Sequence, residues 1–235
     1  MNDTKKAWPI GIGAVVGLAL PALLLAQQPA PPEKVAAAKQ SFQESQAKLR
    51  QFEWIETTAV SYKGEQKSKK QNRCYYGADG VLQKVPVGTP EQAKTPGGLR
   101  GRAAKNKKED ITEYMDRAVA MVKNYVPPNP ALIQKSKDAG KVSMHMIDPM
   151  KRIRLDFAYY VQAGDVLSIE MDVVNNLILG VHVSTNLGSP QDPLSLDVAF
   201  ATFPDRTIYT STVTLAAPAK EVTVNIQNTG YKTIK

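Results

Sequence analysis

The stretch Arg152-Ile-Arg-Leu-Asp-Phe-Ala158 alternates polar and apolar side chains, and Leu167-Ser-Ile-Glu-Met-Asp-Val173 does the same. A period of two places every second side chain on the same face of an extended chain. Each stretch therefore predicts a β-strand with one apolar and one polar face. Such strands are typical of an antiparallel sheet that is covered on one side and wet on the other.

Similar strand patterns extend in both directions along the chain. Phe52–Tyr62, the turn Lys63-Gly64-Glu65 and a second extended run to Tyr76 predict a β-hairpin, because a glycine-containing turn joins two extended runs. Together the patterns predict an antiparallel sheet in which about eight or nine strands present an apolar face. The other predicted strands are 81–85, 142–146, 177–186, 196–203, 208–215 and 222–227.

Three segments have the period of a helix instead. Residues 33–50 carry an apolar stripe, and a second stripe begins near Asn106 and ends before Val126-Pro-Pro-Asn-Pro130, since proline cannot continue a helix. Asn129 and Pro130 predict the start of a short third helix, which ends at Gly140. Between the third strand and the second helix, about 86–105, glycine, proline and basic residues predict a flexible loop.

The balance of these elements predicts the fold class, which is α+β and mainly antiparallel β. The apolar faces of the strands exceed what three modest helices can cover on a flat sheet. A strongly curved sheet or half-barrel, with the helices on its concave face, resolves the mismatch. Residues 27–235 are long enough for a single domain of this kind. The interior is either a ligand cavity or a core filled by its own side chains, and the sequence leaves both open.

The first 26 residues have the layout of a secretory signal peptide. Lys5 and Lys6 precede an uncharged run from Ala7 to Ala26, and a proline-rich polar segment follows. Cleavage is expected after Ala26, with Ala30 as the second choice. An uncleaved membrane anchor is the alternative, because about 20 apolar residues can span a bilayer. The expected location is periplasmic or secreted.

Basic residues are concentrated in one part of the chain. Between Lys63 and Lys108 there are twelve basic and three acidic residues, whereas the net charge of the whole chain is +8. Export argues against nucleic acid as the partner, and leaves anionic lipid headgroups, a membrane surface or an envelope protein. The same lysines are also consistent with a solvated hairpin and loop. Cys74 is the only cysteine, so no intramolecular disulfide forms.

The sequence contains no recognisable catalytic motif. His145 and His182 lie on separate predicted strands without the spacing of metal ligands. Ser168, Glu170 and Asp172 share one strand face, which could bind a cation but is also typical of a solvated surface. We therefore expect no enzymatic activity, no cofactor and no metal site.

The order of elements resembles that of a known superfamily. A helix over Val35–Leu49, the strand Phe52–Tyr62 with its Lys63-Gly64-Glu65 turn, and alternating strands over 152–227 are similar to the LolA and LolB lipoprotein carriers and their relatives. The resemblance implies a half-open antiparallel barrel with a helical lid that binds acyl chains. The segment Tyr125-Val-Pro-Pro-Asn-Pro130 also resembles a signature of exported bacterial proteins for which no activity is implied.

These observations predict a periplasmic binding or carrier protein for a lipid or other amphipathic ligand. The alternative is a non-enzymatic module that holds a protein partner in the cell envelope. The predicted ligand-binding residues are Trp54, Tyr62, Tyr114, Met115, Val119, Val122, Met144, Phe157 and Met171. The predicted contacts to an anionic headgroup are Lys67, Lys69, Lys70, Arg73, Arg100 and Arg102.

Overall fold

The computed structural model describes residues 32–88, 98–149 and 151–234. Within these residues the chain forms a ten-stranded antiparallel sheet with three helices on its concave face. The sheet curls without closing into a barrel, which confirms the predicted fold class. The predicted signal peptide, residues 1–26, lies outside the described residues.

The helices are α1 (Pro32–Leu49), α2 (Gly98–Val122) and α3 (Pro130–Asp138). The strands of the N-terminal part are β1 (Phe52–Tyr62), β2 (Glu65–Tyr76) and β3 (Leu82–Pro86). Those of the C-terminal part are β4 (Val142–Asp148), β5 (Arg152–Ala158), β6 (Val166–Asp172), β7 (Leu177–Asn186), β8 (Pro193–Thr202), β9 (Ile208–Ala217) and β10 (Val222–Thr233). A short 3-10 turn, Pro218–Lys220, joins β9 to β10.

The strands lie in the order β3-β2-β1-β10-β9-β8-β7-β6-β5-β4. Two meanders therefore meet where β1 pairs with β10, which brings the beginning and the end of the described chain together. The edges of the sheet are β3 and β4.

The concave face of the C-terminal meander is apolar because the alternating residues come into register. One row runs across the strands under α2, whose Tyr114, Ala118 and Val122 belong to the same buried cluster. Leu132 and Ile133 of α3 also pack against this cluster. The residues of the row are Val142, Phe157, Leu167, Val183, Leu196, Leu215 and Val224.

Helix α1 covers a neighbouring part of the same face. Its Ala38 forms a second buried cluster with Ile153 and Met171. The ring of Phe42 meets that of Phe200 edge-on at 5.2 Å. The hydroxyl of Ser45 accepts a hydrogen bond of 2.9 Å from the backbone N–H of Ile208.

The concave face becomes polar toward the N-terminal strands. Val224 of β10 pairs with Val60 of β1, which in turn pairs with Ser68 of β2. In the next row, Thr58 of β1 pairs with Lys70 of β2. In these two rows the apolar surface ends at β1, whereas Trp54 and Cys74, farther along the paired strands, remain buried.

Two details of the predicted elements were wrong. Helix α2 begins at Gly98 rather than near Asn106, so the predicted loop at 86–105 is helical in its second half. Leucine, arginine, alanine and lysine over 99–105 favour a helix, and this preference outweighs the two glycines at its start. Each of the ten predicted extended runs matches a strand of the described chain, but β8 begins at Pro193 instead of Leu196. The third helix is confirmed, with the side chain of Asn129 accepting from the N–H of Ala131.

Candidate ligand-binding site

Most of the predicted apolar ligand contacts are core residues. Tyr114, Val122 and Phe157 belong to the cluster under α2, and Met115 packs against it. Met171 belongs to the cluster under α1, against which Met144 packs. Solvent barely reaches four of these side chains, since only 2–6% of each is exposed: Tyr114, Val122, Phe157 and Met171. In this conformation a ligand can reach them only if a helix moves away from the sheet.

Val119 and Trp54 lie apart from these clusters. The side chain of Val119 is exposed on α2. Trp54 lies at the start of β1, where its indole N–H donates to Asn228 Oδ1 at 3.1 Å and its ring stacks on Tyr231 at 5.4 Å. Trp54 is part of a chain of contacting aromatic rings that also contains Phe52, Tyr76, Phe203, Tyr209 and Tyr231.

Tyr62 lies at the opposite end of β1, beside a cleft of about 240 Å³. We call this cleft the mouth, because it opens where α2 passes the corner between β9 and β10. Its position follows from two tight reversals: Lys63 in the β1–β2 turn and Glu221 after the 3-10 turn both have left-handed backbone angles. The residues that line the mouth are Tyr62, Asp110, Ile111, Ala219, Lys220 and Glu221.

The rim of the mouth carries both signs of charge. The ammonium group of Lys63 lies 3.4 Å from Glu221 Oε2, and the backbone N–H of Lys63 donates to the carbonyl of Glu221 at 2.8 Å. Lys220 lies over the ring of Tyr114 at 5.4 Å, and Arg117 lies 5.7 Å from the same ring. Glu221 is thus paired with Lys63, and Asp110 and Lys220 are the other charged side chains that line the mouth.

Tyr114 connects the mouth to the core below it. Its hydroxyl donates to Asp192 Oδ1 in the loop between β7 and β8. Burial raises the pKa of Tyr114 well above its usual range, and the hydrogen bond to the carboxyl group of Asp192 raises it further. The hydroxyl therefore remains a neutral donor at physiological pH.

The predicted anion contacts on β2 do not form one patch. Lys69 and Lys70 point to opposite faces because of the strand period, and Lys67 to Arg73 spans about 20 Å along the strand. Lys67 pairs with Glu65, and Arg73 lies 3.8 Å from Glu53. The side chains of Arg100 and Arg102 lie outside the described residues. Contact between these basic groups and a ligand stays a prediction.

Lys63, Asp110, Ile111 and Lys220 were missing from the predicted site. They come from three separate parts of the chain: the pairing of β1 with β10 brings Lys63 near Lys220, and α2 carries Asp110 and Ile111. Of the six residues around the mouth, only Tyr62 was predicted from the sequence. The basic residues of β2 do not predict that Lys220, in the turn Pro218–Lys220, lies beside the cleft.

The outer face of the sheet contains a juxtaposition that no local sequence pattern indicates. Ser168, His182 and Asp197 lie directly opposite one another on β6, β7 and β8, and His182 Nδ1 is 2.5 Å from Asp197 Oδ1. This is the order of groups in a hydrolytic triad. However, Ser168 is buried, and no hydrogen bond joins it to His182 in the described structure. A substrate cannot reach the hydroxyl without rearrangement, so the row does not by itself provide a nucleophile.

The described ranges, 32–88, 98–149 and 151–234, lack two other kinds of site. No group of three or more histidine, cysteine, aspartate and glutamate side chains there could hold a metal ion. None of the helices in these ranges combines the length and the apolar character needed to span a bilayer.

Comparison with known proteins gives similarity in structure alone. No protein-family model and no curated protein matches the chain. A DUF1329 family protein from Desulfovibrio piger is 8% identical, with a TM-score of 0.36 over 86% of this chain and 92% of that one. MucB, in a complex with MucA(peri), is also 8% identical, with a TM-score of 0.23 over 86% of this chain and 99% of that one. The curled, helix-covered sheet that the LolA resemblance implied is present, and membership of that superfamily stays a prediction.

Proposed function

We propose that this chain is an exported, non-enzymatic binding or carrier protein for a lipid or other amphipathic ligand, which it holds at the mouth. One observation carries the proposal. At the mouth an open cleft with apolar and charged walls lies directly above the apolar core of the domain. A periplasmic or secreted location is supported by the signal-peptide layout of residues 1–26.

The lining of the mouth suits a molecule with two chemically different ends. Ile111, Ala219 and the ring of Tyr62 offer apolar contact, while Asp110 and Lys220 offer hydrogen bonds and charge. Pockets that enclose small ligands usually measure about 300–1,000 Å³. A cleft of about 240 Å³ therefore holds one end of an amphipathic ligand rather than all of it.

The remainder of the ligand would have to enter between α2 and the sheet. Tyr114, Ala118 and Val122 of α2 are buried against strand residues, so entry requires the helix to separate from them. An acyl chain in the same space would restore the apolar packing, since each methylene that it buries contributes about 0.8 kcal/mol. The proposal thus includes an opening movement of α2.

Native mass spectrometry of the protein purified from its own cell envelope tests this function. We expect bound amphipathic molecules that solvent extraction removes, and we expect Ile111→Trp to reduce them because the indole fills the mouth. Val174→Trp is the control, since Val174 is exposed outside the mouth. Equal occupancy in both variants, or no adduct in the wild-type protein, would reject the proposal.

An interaction module of the cell envelope is the second candidate. It is favoured by the edge strand β4, where Met146 is 61% exposed and Ile147 is also exposed. Crosslinking in cells separates the two candidates, because a carrier gives lipid adducts and a module gives one dominant protein adduct.

A further inference from the structure

The two edges of the sheet differ in what their backbones offer. On β3, the N–H of Val87 donates to Gln71 and the carbonyl of Val81 accepts from Gly77, so odd-numbered residues face β2. Even-numbered residues then point their backbone groups outward, as antiparallel geometry requires. Pro86 is one of these and has no N–H. The β3 edge is therefore short and is missing one of its outward N–H donors. Natural sheets discourage pairing at their edges in this way.

The edge at β4 has no such protection. The N–H of Ala158 donates to the carbonyl of Lys141, so Lys141, Ser143 and His145 face β5. Val142, Met144 and Met146 consequently direct their N–H and C=O groups away from the sheet. Among the described residues, none of these outward groups has a backbone partner. An apolar, unpaired edge of this kind favours the addition of another strand.

We propose that β4 pairs with β4 of a second copy of this chain, in an antiparallel arrangement about a two-fold axis at Met144. Met144 then faces Met144 of the second copy, and Val142 faces Met146 of the second copy. All of these positions have outward backbone groups, so the register satisfies about six backbone hydrogen bonds. Shifting the axis along the strand reduces this number.

The side chains of β4 are self-complementary in the same register. Val142, Met144 and Met146 share one face, and Met146, which is 61% exposed, becomes covered by Val142 of the second copy. On the other face, Ser143 lies opposite His145 of the second copy. Residues 142–147 contain no lysine, arginine, aspartate or glutamate. No like charges therefore meet, and methionine adapts readily to a new neighbour.

A second copy explains these features better than a foreign strand does. A two-fold interface needs one surface that complements itself, and β4 has this property in the register that also satisfies its backbone groups. The proposal does not depend on the ligand of the mouth, because β4 and the mouth share no residue.

Sedimentation equilibrium of the full processed chain, over a wide range of concentrations, tests the proposal. We expect a reversible dimer for the wild-type protein and a monomer for Met144→Pro. The substitution removes an outward N–H, so the pairing of β4 with β5 keeps its hydrogen bonds, although the packing of the Met144 side chain against the cluster under α1 is also lost. Leu82→Pro is the matched control, because it removes an outward N–H from the β3 edge and should leave the dimer intact.

Met146→Glu provides a second variant in case Met144→Pro does not fold. This exposed side chain tolerates a charge in the monomer, but the dimer would bury the charge without a partner, so dimerisation should weaken by at least about tenfold. A wild-type monomer at every concentration overturns the proposal. A dimer that survives both β4 substitutions, or that Leu82→Pro disrupts, places the interface elsewhere and also overturns it.

Discussion

Two places in this molecule use the same pair of groups, a tyrosine hydroxyl and a carboxyl group. At the mouth, Tyr114 donates to Asp192. At the other end of the helical layer, Tyr125 donates to Asp165 at 2.6 Å and also hydrogen bonds with Thr185 at 2.8 Å. We call the second place the buried corner, formed by Tyr125, Tyr160, Asp165 and Thr185. The same chemistry thus borders an open cleft in one place and holds the fold together in the other.

The buried corner satisfies its polar groups within the protein. Asp165, which is 1% exposed, accepts from the backbone N–H groups of Tyr160, Val161 and Gln162 as well as from Tyr125. It thereby organises the loop between β5 and β6. The carboxyl group of Asp192, by contrast, belongs to a half-buried residue, and charged groups of the neighbouring mouth face solvent. The corner therefore contributes polar contacts that stabilise the fold, whereas the mouth, the proposed binding site, is open to solvent.

The largest expected difference between the two places comes from removing the carboxyl groups. Asp165→Ala leaves three backbone N–H groups and a tyrosine hydroxyl without their acceptor, so we expect a loss of about 3 kcal/mol or more in the free energy of unfolding. Asp192→Ala should cost about 1 kcal/mol, because water can reach the groups it leaves. Urea denaturation measures both losses in the free energy of unfolding, and the m-values should stay unchanged. Equal losses would mean that the corner and the mouth are not distinct.

Removing the hydroxyl groups should give a smaller difference in the same direction. Tyr125→Phe leaves Asp165 and Thr185 with their other partners, for an expected loss of about 1–2 kcal/mol. Tyr114→Phe should cost about 0.5 kcal/mol, since Asp192 can turn to solvent. The two rings remain in place in both variants, which makes them matched controls for one another. A larger loss from Tyr114→Phe would reverse the assignment of the corner and the mouth.

High pH probes both tyrosines together. Burial, followed by the hydrogen bond to a carboxyl group, raises the pKa of Tyr114 and of Tyr125 above the ordinary range. The unfolded chain, with tyrosine pKa values of about 10, therefore loses protons first, and stability falls as the pH rises above that value.

Urea midpoints measured from about pH 9 upward should decline in the wild-type protein. The decline should be shallower in Tyr125→Phe and shallowest in the double variant with Tyr114→Phe. A decline that is unchanged in the double variant would assign it to other groups, such as Tyr231, whose pKa burial also raises.

The sequence predicts the sheet better than it predicts the site, for a physical reason. Alternation in Arg152–Ala158 and in Val166–Asp172 is local information, and it was sufficient for the strands and for their apolar face. The helical stripe through Tyr114 and Val122 was likewise visible. These same residues were also predicted to bind ligand, because periodicity shows which side chains turn inward but not whether they meet one another or an empty space.

The remaining features depend on contacts between distant parts of the chain. Ile111 and Lys220 meet at the mouth because α2 passes the corner between β9 and β10, and no local pattern contains that packing. The motif Tyr125–Pro130 shows the same limit. In the sequence it is only a signature, and its role follows from Tyr160, whose hydroxyl accepts from the N–H of Asn129 at 2.6 Å. The motif ties the start of α3 to the buried corner.

The smallest expected effect on stability belongs to Lys220, and it tests the mouth most directly. Lys220 is exposed and contacts the Tyr114 ring from the solvent side, so Lys220→Ala should change the free energy of unfolding by less than about 0.5 kcal/mol. With a fluorescent lysophospholipid as the probe, we expect affinity to fall about fivefold, equivalent to about 1 kcal/mol, because the charge beside the polar end is removed.

Lys137→Ala is the control for that experiment, since Lys137 is an exposed lysine of α3 outside the mouth. It should leave both stability and probe affinity unchanged. If both variants bind the probe as tightly as the wild-type protein does, the charge at the mouth does not take part in recognition. If both bind more weakly by the same factor, attraction is a property of the net positive charge of the whole chain, and it should then disappear as salt is added. A loss confined to Lys220→Ala separates the mouth from the rest of the surface.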